Sequence, residues 1–195
     1  NWDTTNAIRV SNYGNASATI NLFNDTYSDD GSDGYKDYAG LLFFQRPKNY
    51  DDDFTKLTVN IKELDTTGAQ SDQLFYVYDD ASGKIISTNQ PIVKGDSSIE
   101  NFFVAKIGTT YYKTLADAIA AAKDGDTVKL LKECDEDVTI RKKIALTAAD
   151  HVVFKGTLTF DKGSAGSKVF EMTFNYAGSK ANIITINSAA SGVTV

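Results

Sequence analysis

The chain has 195 residues, enough for one or two domains, and carries 26 acids against 20 bases for a net charge of −6. Hydrophobic residues make up 42% and charged residues 24%, a globular rather than a disordered composition. One Cys and one His exclude an internal disulfide, the usual structural zinc sites and a two-His metalloprotease motif, and the acidic balance argues against nucleic acid as a partner.

No apolar run approaches the length of a membrane span, and no segment reads as a signal peptide. The first residue is not Met, and the last ones, Ser191-Gly192-Val193-Thr194-Val195, have a strand-like pattern, so the chain reads as a piece of a longer protein. Residues 29–53 hold seven acids and three bases, whereas residues 138–195 hold seven bases and three acids. The bases are scattered, which fits solvated strand faces and turns.

Residues 1–104 read as β. Ile8 and Val10 alternate with polar residues, as do residues 19–23 and 58–61, while Leu41 to Phe44 is a continuous apolar run. Leu74 to Tyr78 and Lys84 to Ile86 flank Asp79-Asp80-Ala81-Ser82-Gly83 and predict a hairpin. Segments 28–38 and 47–53 are loops by composition.

One helix is predicted, over 115–123. Thr114 can cap it, with Asp117 three residues on. Leu115, Ala118, Ile119 and Ala122 fall on one face, and Asp124-Gly125 supplies the stop. Short strands follow at 127–131, 137–140, 144–147, 152–154, 157–160, 169–174, 182–186 and 193–195. Their apolar pairs recur from Val128 to Val152, from Val138 to Leu158 and from Ile144 to Val169, at 24, 20 and 25 residues. Three short strands per turn predict an all-β parallel β-helix, a solenoid whose coils bury one another and whose end the amphipathic helix caps. The alternative is a β-sandwich with one helix.

Residues 105–131, from Ala105-Lys106-Ile107-Gly108 through Tyr111-Tyr112 and Thr114-Leu115 to Gly125-Asp126-Thr127-Val128, resemble the opening of pectin-lyase-like right-handed β-helix modules in large surface proteins of Gram-positive gut bacteria. The resemblance is strongest over 105–147. It implies a right-handed parallel β-helix that starts at 105 and is truncated at 195, with residues 1–104 as the closing part of a preceding module. It further implies an extracellular, cell-surface location, a non-catalytic adhesin or stalk role, and neighbouring modules of the same chain as partners. It does not select a ligand, because function lies in sites grafted on folds.

Gly-x-Ser-x-Gly, Gly-x-Gly and Gly-Lys-Ser/Thr are absent. Cys134 precedes Asp135-Glu136-Asp137, whose carboxylates would raise its pKa, and His151 opens a strand. The densest acid and base groups, Asp135, Asp137 and Arg141-Lys142-Lys143, are the only candidates for a glycan-cleaving groove. Asp124 and Asp126 read as turn residues. Asp29-Asp30-Gly31-Ser32-Asp33-Gly34 places three carboxylates in one loop but lacks EF-hand spacing and the closing Glu, so no metal or other cofactor is expected. Tyr27, Asp33, Tyr35 and Tyr38 form an acidic, Tyr-bearing segment of the kind that suits ligand recognition. The expected function is a presenting surface module. Its rivals are a specific binder of a host protein, such as an immunoglobulin, or of a glycan, and a lyase-like carbohydrate-active enzyme.

Overall fold

A computed structural model describes residues 8–11, 16–28, 40–48, 53–69, 73–176, 178 and 182–195. The fold is all-β, with one α-helix among the described residues, and no sheet closes on itself. No described helix is long and apolar enough to cross a membrane. The chain divides into two compact units, Asn1–Phe102 and Phe103–Val195.

The first unit contains β1 (Ile8–Ser11), β2 (Ala18–Phe23), β3 (Thr26–Ser28), β4 (Leu42–Arg46), β5 (Leu57–Lys62), β6 (Asp65–Gly68), β7 (Phe75–Asp79), β8 (Lys84–Ile85) and β9 (Ile92–Gly95). Its strands pair in parallel columns: β1 with β4 and β4 with β7, β2 with β5 and β5 with β9, and β3 with β6. Parallel partners need a long connection, and here each connection is made by strands of the other columns. The register puts like on like: Ile8, Leu42 and Phe75 in one row, Ile20, Val59 and Val93 in another. Phe44 is fully buried and meets Phe54 and Phe75 edge-on at centroid distances of 5.3 and 5.6 Å. Asn24 (φ 57°) and Glu63 (φ 54°) occupy matching corners, one after β2 and one after β5.

The predicted hairpin is β7 and β8, with Tyr78 opposite Ile85. The 28–38 loop begins later than expected, since Ser28 still belongs to β3, and residues 29–39 lie outside the described residues. Of the 47–53 loop, Asp53 caps a 3-10 turn, Phe54–Lys56, by accepting from the Thr55 N–H at 3.0 Å. Three strands of this unit, β3, β6 and β9, lie where the sequence predicts none.

The second unit opens with an antiparallel hairpin, β10 (Ala105–Ile107) and β11 (Thr110–Tyr112), followed by α1 (Leu115–Ala121). Then come β12 (Thr127–Leu130), β13 (Val138–Ile140), β14 (Ala145–Ala148), β15 (Val153–Phe154), β16 (Leu158–Phe160), β17 (Lys168–Val169), β18 (Thr173–Phe174) and β19 (Ile184–Ile186). These again pair in parallel columns: β12 with β14 and β14 with β17, β13 with β16 and β16 with β19, and β15 with β18. The predicted 169–174 strand is two strands around a corner, and the predicted 193–195 strand is a single bridge from Thr194 to Lys168.

The 20-residue recurrence holds, because Val138 lies beside Leu158. The other two do not: Val128 lies beside Leu146 and not Val152, and Val169 lies beside Leu146 and not Ile144. Corners of unequal length shift the repeat between columns. At one of them Gly156 is required, because a Cβ there would sit 1.9 Å from the Glu136 carbonyl oxygen of the neighbouring rung.

Helix α1 is shorter than the predicted 115–123, because Ala122 leaves the helix at ψ 148°. Gly125 takes φ +91° in the turn that follows. Leu115, Ala118, Ile119 and Ala122 are all buried and belong to one cluster with Val128, Leu130, Val138, Ile140, Leu146 and Phe160. Tyr112 packs against this cluster, whereas the ring of Tyr111, its neighbour on β11, meets Phe103 at 5.3 Å.

Candidate functional site

Tyr27 lies in β3 and is only 3% exposed, so its ring offers a ligand almost no contact area. Asp33, Tyr35 and Tyr38, with the possible calcium carboxylates Asp29 and Asp30, lie outside the described residues. Among the described residues, no group of three or more His, Cys, Asp and Glu side chains is placed to hold a metal ion.

Of the dense charges around 133–143, Glu136, Asp137 and Lys142 are engaged with the backbone. The Leu115 and Ala116 N–H groups donate to Glu136 Oε1 and Oε2 at 2.8 and 2.9 Å, and the Asp117 N–H donates to Thr114 Oγ1 at 3.0 Å. Three of the donors that a helix N-terminus leaves unpaired are thereby satisfied, and a carboxylate faces the positive end of the helix dipole. At the other end the Lys142 ammonium donates to the Ala120 and Ala122 carbonyls. Asp137 Oδ1 accepts from the Thr157 N–H at 3.0 Å and its hydroxyl at 2.6 Å. Asp124 Oδ1 accepts from the Lys143 N–H and Asp126 Oδ2 from the Lys123 N–H, which makes both of them turn residues.

The sequence shows Glu136 and Lys142 only as members of charged runs and not as partners of the helix ends, because each acts on the helix from about 20 residues away. The only signal was the sign of their charges, each opposite to the helix end it serves.

Cys134 is 5% exposed and bridges Phe154 in parallel fashion. Burial is the main cause that pushes its thiol up to about 12, and the Glu136 and Asp135 charges add to it. The expectation of a raised pKa holds, but desolvation outweighs the carboxylates. The thiol points to Glu136 Oε1 at 3.5 Å. His151 is exposed at φ 65°. Val153 pairs with Thr173, so His151 holds the same corner position as Glu171, which has φ 54°.

A cleft of about 250 Å³ opens between α1 and β13. Ala116, Ile119 and Ala120 form one wall, Val138 and Thr139 the other, and Arg141 and Lys142 stand at its edge. Compared with known proteins, the chain matches no family model, no curated protein and no solved structure.

Proposed function

We propose that the chain is a non-catalytic module of a bacterial cell-surface protein, built on right-handed parallel β-helix coils that present loops to a host or environmental ligand. The observation that carries this reading is the repeated parallel pairing: in each unit, the described strands return rung after rung to three parallel columns, with only the antiparallel arms β8, β10 and β11 outside them. Such pairing supports a solenoid, in which no single coil can bury its own inner residues. On this reading α1 caps the start of the second coil stack, and residues 1–104 close a preceding module.

The non-catalytic part of the reading is supported by the chemistry of the candidate catalytic residues. Cys134 keeps its proton at neutral pH, and Asp137 and Lys142 are held by backbone groups. The presenting element is the acidic segment with Asp33, Tyr35 and Tyr38. Rigid aromatic side chains give contact area at low entropic cost.

A pull-down of secreted host proteins, with a glycan array beside it, tests the reading. A captured ligand should be titrated against Tyr35→Ala and Tyr38→Ala at low and high salt. Each substitution should cost more than about 1 kcal/mol if the rings are anchors. Affinity should also fall as salt shortens the Debye length below about 8 Å. Full affinity in both variants with no salt dependence would remove this segment. Release of reducing ends from acidic polysaccharides would overturn the non-catalytic reading.

A further inference from the structure

We propose that the cleft between α1 and β13 is a docking site for an acidic polypeptide segment, which inserts one large apolar side chain between the walls and sets a carboxylate against Arg141. This goes beyond the function proposed above and stands whether or not the chain belongs to a surface protein.

Size comes first. At about 250 Å³ the cleft is smaller than the roughly 300–1,000 Å³ of pockets that enclose a whole small ligand. It suits a single anchor side chain, the unit in which protein contacts concentrate their binding energy. The walls are apolar at depth, since Ile119 and Val138 line them at 7% and 5% exposure. Space exists because Ala116 and Ala120, both exposed positions on the helix, carry only a methyl group where a longer helix former would fill the gap.

The walls are also held apart in a fixed geometry. Glu136 ties the first turn of α1, and Lys142 ties its last carbonyls. A cleft pinned at both ends need not be ordered when a partner arrives, which removes one of the costs of association.

Charge selects the partner. Among the described residues, the lining contains two cations and no anion. The Arg141 side chain is 64% exposed, and its Nε lies 3.4 Å from Asp161 Oδ2. Exposed pairs of this kind are weak, and a guanidinium has five N–H donors, so further donors remain for an incoming carboxylate. Lys142 uses two ammonium protons on carbonyls and keeps a third.

The test uses the intact 195-residue chain, labelled with nitrogen-15, and a set of peptides Ac-Gly-Glu-X-Asp-Gly-amide in which X is Leu, Ile, Met, Phe, Tyr or Trp. At least one peptide should give saturable amide shifts centred on Ala116, Ile119, Ala120 and Thr139. Replacing X by Ala, or both acids by Lys, should weaken binding about tenfold or more. Arg141→Gln should weaken it severalfold, and Ala120→Met, at an exposed helical position, should block it while leaving thermal unfolding unchanged. No saturable shift up to about 5 mM, equal binding of the lysine peptides, or full binding to Ala120→Met would overturn the proposal. Shifts at the same amides on concentrating the protein alone would assign the cleft to a second copy of the chain and would overturn it as well.

Discussion

Among the described residues, five non-glycine residues take positive φ, and four of them fall into two matched pairs: Asn24 with Glu63, and His151 with Glu171. A left-handed corner is thus repeated from one rung to the next, so the strain belongs to the corner and not to one side chain. For an L-residue that conformation costs about 1–2 kcal/mol. Replacing Glu171 by Gly should therefore raise stability, by about 0.5–1 kcal/mol after the entropy cost of glycine. Glu171→Val, β-branched, should lower it, and urea unfolding midpoints of the two variants decide the point. Cys134 gives a second prediction at this scale. With its thiol buried and pushed up to about 12, it should not react with a disulfide reagent at pH 8 in the native protein, and should react fully once the chain is unfolded. Rapid native labelling would show that the thiol is neither buried nor protonated.

Helix α1 has only seven residues, too short to persist by propensity alone. Its stability comes from three sources: an apolar face sunk in the β cluster, a carboxylate at its N-terminus and an ammonium at its C-terminus. Ile119→Asp tests the first of these. It would place a charge at a 7% exposed site in the cluster, and should destabilise by about 3–5 kcal/mol. Denaturant titration checks this, and a change under about 0.5 kcal/mol, the size usual at surface sites, would mean that the helix does not seal the core. The helix face was legible because four apolar residues sit at helical spacing within eight positions. Strand β6, Asp65-Thr66-Thr67-Gly68, was not, because it has no apolar residue. Its position is set by main-chain pairing with β3, and the Asp65 N–H donates to the Asp25 carbonyl at 2.9 Å.

Across the whole molecule, the all-β class and most strands could be read from period-two alternation, but the exact repeat could not. The two steps along one column are unequal: Val128 to Leu146 is 18 residues and Leu146 to Val169 is 23, and the difference is taken up in polar corners that carry no hydrophobic signal. Corners are also where the aspartates act, and this links the fold to pH. Asp96 accepts from the Ser98 hydroxyl and N–H and from the Glu63 N–H, and these bonds, the Ser98 hydroxyl first, hold its pKa below the usual 3.8. Asp79 is lowered chiefly by its hydrogen bond to Ser82, and Asp161 by the Lys162 backbone N–H and then by Asn187. In each case the folded pKa is depressed. The unfolded chain then binds more protons than the native one once pH falls below the ordinary aspartate range, so stability rises with pH through that window. The contribution is present in full above about pH 5 and is lost progressively as pH drops through the lowered folded values. Thermal midpoints measured from pH 6 down to pH 2 should therefore stay level at first and then fall. Asp96→Asn should reduce the slope of that fall, because one proton-linked group has been removed, even though the variant starts from a lower midpoint at pH 6. A slope unchanged in Asp96→Asn would mean that its three hydrogen bonds contribute nothing that depends on charge.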